Sequence, residues 1–310
     1  MSVNKLHPRN KHQGQYNFDI LVKNYPDLKP YIVKNKNGED SINFHDNKSV
    51  IALNKALLLS FYPINYWSIP DNYLCPPIPS RSDYIHYLAD CLYQNGLNHK
   101  KIHALDIGTG ANLIYPLIGT QEYNWKFTAT DIDPTSINNA QEIIDRNKTL
   151  QALIELRSQK NERNIFKGVI TENDFFEISI CNPPFHNSKE DAEKGTYRKL
   201  KNLGKKEESL SLNFGGKHNE LWCSGGELAF VKQIMNESLL FKNQCIWFSS
   251  LISKKDNLKP LKRHLKKLNV HALKTIEMLH GQKHSRILIW TFLNEKEITH
   301  LLLKNGRIAS

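Results

Sequence analysis

Ile102-His103-Ala104-Leu105-Asp106-Ile107-Gly108-Thr109-Gly110-Ala111-Asn112 decides the fold. The first six residues read as a strand, and the helix after the loop is expected to begin near Ala111. Between them, Gly108 and Gly110 let the backbone turn tightly and approach a ligand closely. Trp125 to Asp131 is the second strand, and Pro134 then stands at the first position of a helix with Ile137, Ala140 and Ile144 on its apolar face. Ala152 to Leu156 and Phe175 to Ile180 supply a third and a fourth strand. Leu228, Val231, Ile234, Met235 and Leu239 mark another helix, and Cys245 to Ile252 is a fifth strand. A basic helix over Leu258 to Leu268 comes next. Val270 to Met278 and Ile287 to Phe292 then read as an antiparallel pair at the sheet edge, turning at Gly281. Strands alternating with helices predict an α/β fold with a parallel, doubly wound sheet.

A G-x-G loop by itself is a weak signal. Asp131, at the tip of the second strand about twenty residues later, is placed to accept both hydroxyls of a ribose. Together they point to a ribose-bearing cofactor. A nicotinamide dinucleotide is one candidate, but Leu113 stands where its fingerprint wants a third glycine. S-adenosylmethionine has no pyrophosphate needing a helix N-terminus, so it tolerates that change. It also carries an electrophilic methyl group.

The fourth strand ends in Ile180-Cys181-Asn182-Pro183-Pro184-Phe185-His186. Two adjacent prolines stop the strand, because neither donates to a ladder and each restricts the residue before it. They leave a stiff turn carrying one amide, Asn182, and one ring, Phe185. The Asn182 oxygen and the backbone carbonyl at Pro183 each accept one hydrogen of an exocyclic amine, while Phe185 stacks on the flat molecule that bears it. Acceptors off the ring plane favour a pyramidal nitrogen whose lone pair points at an electrophile. The plainer alternative is a loop with a capping Asn and a core Phe.

The rest of the chain bounds the setting. With 310 residues, 40% of them hydrophobic and 24% charged, it suits a globular protein with a sizeable core. No apolar run of about 18 residues occurs and the N-terminus has no signal-type apolar stretch, so a cytoplasmic protein without a membrane segment is expected. The five cysteines are scattered, with no C-x-x-C pair, and the thirteen histidines lack ligand spacing; neither a disulfide framework nor a metal site is expected. Net charge of +11 favours a polyanionic partner, nucleic acid first and an acidic membrane surface second. Residues 1 to about 16, basic and without hydrophobic period, read as an arm disordered when free and bound to phosphates when engaged. Two short helices broken at Pro26, a short strand at Ser41 to Phe44 and a helix capped by Asp46 complete a first part too irregular for a core of its own. This part is expected to pack on the alternating strands and helices.

Asp106-Ile107-Gly108-Thr109-Gly110, Thr130-Asp131-Ile132-Asp133 and Asn182-Pro183-Pro184-Phe185 together resemble the amino-group methyltransferases of the Rossmann-like class. His7-Pro8-Arg9-Asn10, Tyr25-Pro26-Asp27-Leu28, Ser41-Ile42-Asn43-Phe44, Asp83-Tyr84-Ile85-His86, Ile114-Tyr115-Pro116-Leu117 and Gly225-Gly226-Glu227-Leu228-Ala229-Phe230-Val231 narrow the resemblance. They are similar to the bacterial 23S ribosomal RNA adenine-N6 methyltransferase family, and a eukaryotic RNA adenine-N6 methyltransferase shares much of the pattern. The match runs from about residue 5 to about residue 293. It implies a Rossmann-like methyltransferase domain over 81–310, with an insertion at 186–225, and a mostly helical RNA-binding extension over 1–80. It implies S-adenosylmethionine as cofactor, large-subunit ribosomal RNA as partner, and a monomer. Arg81 corresponds to a cofactor-contacting arginine that pairs with the methionine carboxylate. Gly108 lines the methionine side, Asp106 and Gly110 also bind the cofactor, Asp131 binds ribose, and Asn161 falls in a cofactor-contacting loop. Asn182, Pro183 and Phe185 hold the adenine. Lys5, Arg9 and Lys11 of the arm, and the segment from Lys254 to Lys274, are candidates for phosphate contact. Rival readings are a guanine-N2 ribosomal RNA methyltransferase, a protein-glutamine methyltransferase, whose family prefers Tyr at position 185, and a non-catalytic RNA-binding module.

Overall fold

The computed structural model describes residues 6–97, 102–188, 221–280 and 283–308. Lys5, the turn at Gly281 and most of the 186–225 insertion lie outside them. After helix α1 (Phe18–Asn24), a 3-10 turn (Pro26–Tyr31) and the hairpin β1 (Ile32–Lys34) and β2 (Asp40–Ile42), helix α2 (Asn47–Phe61) starts on its Asp46 cap, whose carboxylate accepts from the N–H groups of Lys48 and Ser49. Helix α3 (Ile78–Gln94) then leads into the alternating part. This comprises β3 (His103–Ile107), α4 (Ile114–Tyr123), β4 (Lys126–Asp131), α5 (Pro134–Arg146), β5 (Ile154–Ser158), β6 (Phe176–Cys181), α6 (Gly226–Leu240), β7 (Cys245–Ile252), α7 (Lys255–Lys267), β8 (Ala272–His280), β9 (Lys283–Thr291) and α8 (Glu295–Lys304).

Seven strands form one sheet in the order β5-β4-β3-β6-β7-β9-β8, with β3 to β7 parallel. β9 runs antiparallel to β7 and pairs with β8 at the edge, in agreement with the sequence pattern of the two closing strands. The chain leaves β3 toward β4 and β5, then returns to place β6 on the other side of β3. Connections therefore diverge between β3 and β6, which opens a crevice at their C-terminal ends. The register puts Ile107 beside both Thr130 and Cys181, so the next residues out of the sheet are Asp131, Gly108 and Asn182. With strands about 4.8 Å apart, the three candidate segments form one row.

One apolar layer includes residues of α2, α3, α4 and α5, among them Leu53, Leu57, Leu88, Leu117 and Ile144. The other includes Val231 and Met235 of α6, Leu261 and Leu265 of α7, and Ile165, Phe166 and Val169 of the loop after β5. Residues of the N-terminal segment share the first layer with Ala104 and Ile178 of the sheet, so this segment packs on the sheet as expected.

Several details depart from the sequence reading; Ile32 and Val33, expected in a second short helix, form strand β1. Helix α4 begins at Ile114, three residues late, because Leu113 is left-handed at φ 54° and Asn112 turns back to accept the Ile114 N–H. The third strand is β5, shifted two residues toward the C-terminus, and α8 extends the fold beyond the last expected strand. The largest correction concerns the N-terminal arm. From residue 6 onward it is a packed segment in which His7, Asn10 and His12 are buried. The Asp83 carboxylate accepts from the His7 N–H at 3.0 Å and from Asn10 Nδ2 at 2.5 Å. Arg9 pairs with Asp90 at 2.6 Å and donates to the Tyr123 hydroxyl, while Lys11 pairs with Glu122 at 2.8 Å. Burial pushes His12 and His86 down to about 4, so both rings are neutral at pH 7 and act as hydrogen-bond partners. The acids that hold this segment lie more than 70 residues away, out of reach of any local charge pattern. Asn10→Ala is therefore expected to lower unfolding free energy by about 1–3 kcal/mol in a urea titration, since it strips a donor from a buried carboxylate. An asparagine in a free arm would cost less than about 0.5 kcal/mol.

Candidate active site

A cavity of about 660 Å³ opens at the C-terminal ends of β3, β4 and β6. Its floor is the loop after β3. Gly108 and Gly110 take φ of 70° and 62°, a region open to glycine at no steric cost, and a Cβ added at Gly108 would point into open space. Asp131 closes the loop from the next strand: its carboxylate accepts from the Gly110 N–H at 2.8 Å and from the Asp133 N–H at 2.9 Å. The backbone of Asp131 in turn accepts from the Gln159 N–H, which brings the loop after β5 to the cavity wall.

Asp106 lies behind this floor, fully buried, and among the described residues neither of its carboxylate oxygens has a partner at good hydrogen-bond geometry, Thr109 standing nearest. Burial pushes it up to about 7, Asp131 adds to the rise, and Thr109 and Arg81 pull the other way. An orphaned buried carboxylate is costly unless a donor or a cation completes it. The α-ammonium of a methionine moiety is such a group, so the residues present fit S-adenosylmethionine.

Arg81 could hold the carboxylate end of such a cofactor. Arg81 is buried on α3 and donates from Nη1 to the Tyr115 hydroxyl at 2.9 Å and to Asn182 Oδ1 at 3.3 Å. Its guanidinium also stands 5.5 Å from the centre of the Tyr115 ring. Nε and Nη2 make no hydrogen bond to described residues, which leaves two donors for a carboxylate. Arg81 thus touches the amide that the sequence reading assigns to the substrate amine.

That amide sits on a braced turn. Tyr84, fully buried, donates to the Cys181 carbonyl at 3.4 Å and bonds Ser249 of β7 at 3.0 Å, locking the last residue of β6. Beyond the prolines, the N–H groups of Phe185 and His186 both donate to the Leu221 carbonyl. The chain at Trp222 to Gly226 is thereby drawn against the turn. Gly226 permits this contact, for a Cβ there would lie 2.1 Å from Asn187 Oδ1.

Most sequence-predicted residues converge, and some do not. Arg81, Gly108, Gly110, Asp131 and Asn182 line the cavity, and Asp106 supports it. Pro183 and Phe185 are not among the lining residues; Pro184 is, and Phe185 packs half-buried against the core layer. Asn161 is not a lining residue either. Its side-chain oxygen accepts from the Arg163 N–H, making a turn that presents Glu162, Arg163 and Asn164 to the cavity instead. Tyr115 and Trp222 are cavity residues that residue-by-residue reading missed. Tyr115 stands in one of the stretches that carry the family resemblance, and its pairing with Arg81 was the hidden part.

Comparison with known proteins agrees with this geometry. A family described as RNA methyltransferase matches residues 1–294. The chain is 50% identical over 307 residues to the ribosomal RNA large subunit methyltransferase F of Psychrobacter sp. (strain PRwf-1), covering 94% of each chain. It is 52% identical over 301 residues to the protein of that name from Bacteroides fragilis (strain YCH46), covering 93% of this chain and 99% of the relative. Among solved structures, the hMettl16 catalytic domain in complex with MAT2A 3′UTR hairpin 6 superposes with a TM-score of 0.79 at 31% identity, over 93% of this chain and 98% of that one. The N-terminal domain of human METTL16 in complex with SAH gives 0.75 at 29% identity, over 93% and 99%. Cofactor pocket, amide turn and relatives agree: this chain belongs to the RNA methyltransferase family and uses S-adenosylmethionine.

Proposed function

We propose that the enzyme methylates the N6 amine of one adenine in 23S (large-subunit) ribosomal RNA. The observation that carries this reading is the row formed by Asp131, Gly108 and Asn182, which sets an amine-binding turn beside the cofactor floor. The large-subunit names of the relatives support the choice of RNA. S-adenosylmethionine supplies the electrophilic methyl on its sulfonium. The chain's own residues position the two reactants. Arg81, Asp106 and Asp131 fix the carboxylate, ammonium and ribose of the cofactor. Asn182 Oδ1 has two lone pairs: one takes the Arg81 donor, and the other accepts an N6 hydrogen. Pro184 lines the cavity beside Asn182, and the target base must leave its helix to enter. Transfer is an in-line displacement, so the contribution is mainly orientation. Asn182 is neutral and takes no proton; the proton leaves to water after the nitrogen has become cationic. Arg9 and Lys11, with side chains 46% and 42% exposed, reach phosphates only by sharing their acidic partners.

The pH behaviour rests on Asp106. Raised to about 7, its carboxyl is partly protonated in the free protein at neutral pH. A neighbouring ammonium favours the ionised form, so binding drives the proton off. Calorimetry of S-adenosylhomocysteine binding near pH 7, in buffers of different ionisation enthalpy, should register net proton release that grows as the pH is lowered toward 6. Asp106→Asn should abolish that release. The reading as a whole is tested by mapping N6-methyladenine in ribosomal RNA from cells with and without the gene. Loss of one N6-methyladenine in the large subunit supports it; an unchanged N6 map with a missing N2-methylguanine replaces it with the guanine reading.

A further inference from the structure

Helix α7 turns its leucines inward and its cations outward. Leu261 and Leu265 are buried in the second core layer, with Leu258 and Leu268 packed against it. At 100° per residue, Lys255, Lys259, Lys262 and Lys266 fall within one stripe of about 60°, roughly 110° round the helix from the buried leucines, and Arg263 and Lys267 extend it to the far side. Lys254 stands at the N-cap. None of these seven residues takes part in an ion pair with a described residue, whereas Arg9 and Lys11 do. Lys232 of α6 joins the same field: burial lowers the protonation of His264, and Lys232 and Lys267 lower it further.

This arrangement works against the helix. Lys255–Lys259, Lys259–Arg263, Lys262–Lys266 and Arg263–Lys267 are like-charged pairs four residues apart, which destabilise a helix. Lys254 and Lys255 also sit at the N-terminal end, where the helix dipole favours acids. The first turn carries a single acid, Asp256. What holds the helix start is Glu227, buried on α6, whose carboxylate accepts from the N–H of Ser253 at 2.7 Å, the N–H of Lys254 at 3.3 Å and Asn257 Nδ2 at 2.7 Å. Glu227 belongs to the Gly225–Gly226 turn that packs on the amide turn of the pocket. The cationic ridge is therefore fixed at one end to the pocket rim and runs from it for about 20 Å, the length of thirteen helical residues.

We propose that this ridge docks the phosphates of the RNA strand flanking the target adenine. The inference rests on the RNA-methylating reading above. A row of unpaired cations on a rigid helix matches a phosphate backbone in charge and spacing and carries no base readout, so it positions the strand while the pocket chooses the base.

The test replaces Lys255, Lys259, Lys262 and Lys266 together by Gln. A control replaces Lys126, Lys148, Lys296 and Lys304, exposed residues outside α7. Binding and methylation of in-vitro-transcribed large-subunit ribosomal RNA are measured from low to physiological salt. The ridge variant should melt no lower than the parent and bind S-adenosylhomocysteine normally, because three of the like-charged pairs are gone. Its KM for RNA should rise about tenfold or more with kcat changed less than about twofold. The log–log salt slope of RNA affinity should become shallower by roughly 0.7 for each phosphate that the ridge no longer neutralises. The control should keep the parent KM and slope. Equal losses in both variants, or an unchanged slope in the ridge variant, overturn the proposal. So does a ridge variant that keeps RNA affinity but loses binding to phosphatidylserine vesicles, which would make the surface a membrane contact. If the parent enzyme binds this RNA with the predicted slope but transfers no methyl to it, the underlying substrate reading fails while the ridge stands.

Discussion

Asn182→Ala is expected to leave S-adenosylhomocysteine affinity within about twofold of the parent and to lower turnover on ribosomal RNA by on the order of 100- to 1000-fold. The size reflects the place where the amide acts. In the proposed mechanism its oxygen meets the amine as the nitrogen turns pyramidal and gains positive charge, so it stabilises the transition state more than the bound substrate. Removing one such fixed dipole from a dry site costs on the order of 2.7–4 kcal/mol of activation free energy. The turn itself survives the change, since Tyr84 and Ser249 hold Cys181 and the Leu221 carbonyl holds the far side through backbone groups alone. Single-turnover kinetics with saturating cofactor separates the two effects. A variant that keeps near-normal turnover means the amide is a cap and nothing more.

Arg81→Ala should injure both halves of the reaction. In the proposed reading the guanidinium receives the cofactor's carboxylate and, through its 3.3 Å bond to Oδ1, orients the Asn182 amide. Loss of a charge-assisted hydrogen bond costs about 1.5–3 kcal/mol, so S-adenosylhomocysteine affinity should fall by roughly 10- to 150-fold. Turnover should fall as well when cofactor is raised to saturation, because the amide then lacks its second partner. Tyr115→Phe divides these effects: it removes one partner of Arg81 while leaving the bond to Asn182, so cofactor affinity should drop modestly with turnover at saturation retained. Full recovery of Arg81→Ala turnover at high cofactor would remove the arginine from amide orientation.

The sheet and its active row were legible because they are written in local terms. A strand, a glycine loop and a strand-end acid fall within thirty residues, and two prolines mark the other strand's end without help from the rest of the chain. Partners far apart in sequence were not legible. The basic N-terminal residues read as free cations because Asp90 and Glu122, which neutralise Arg9 and Lys11, lie on other elements. Asn161 looked like a ligand residue, yet its oxygen is spent on the turn that shows Glu162 to Asn164 to the cavity. Helix α4 starts late because a buried leucine accepts a left-handed backbone, which propensity disfavours and packing imposes. The contact between Arg81 and Asn182 spans 101 positions and appears only when α3 is laid across the ends of the strands.

The central claim is that the Asn182 turn presents an adenine amine to the cofactor methyl. The most direct test incubates unmodified large-subunit ribosomal RNA with the enzyme and methyl-labelled S-adenosylmethionine, digests the RNA to nucleosides and separates them by mass spectrometry. The label should appear in N6-methyladenosine, at one equivalent per RNA, and should vanish with Asn182→Ala. Label in N2-methylguanosine, or RNA left unlabelled while a protein glutamine is methylated, would contradict the account.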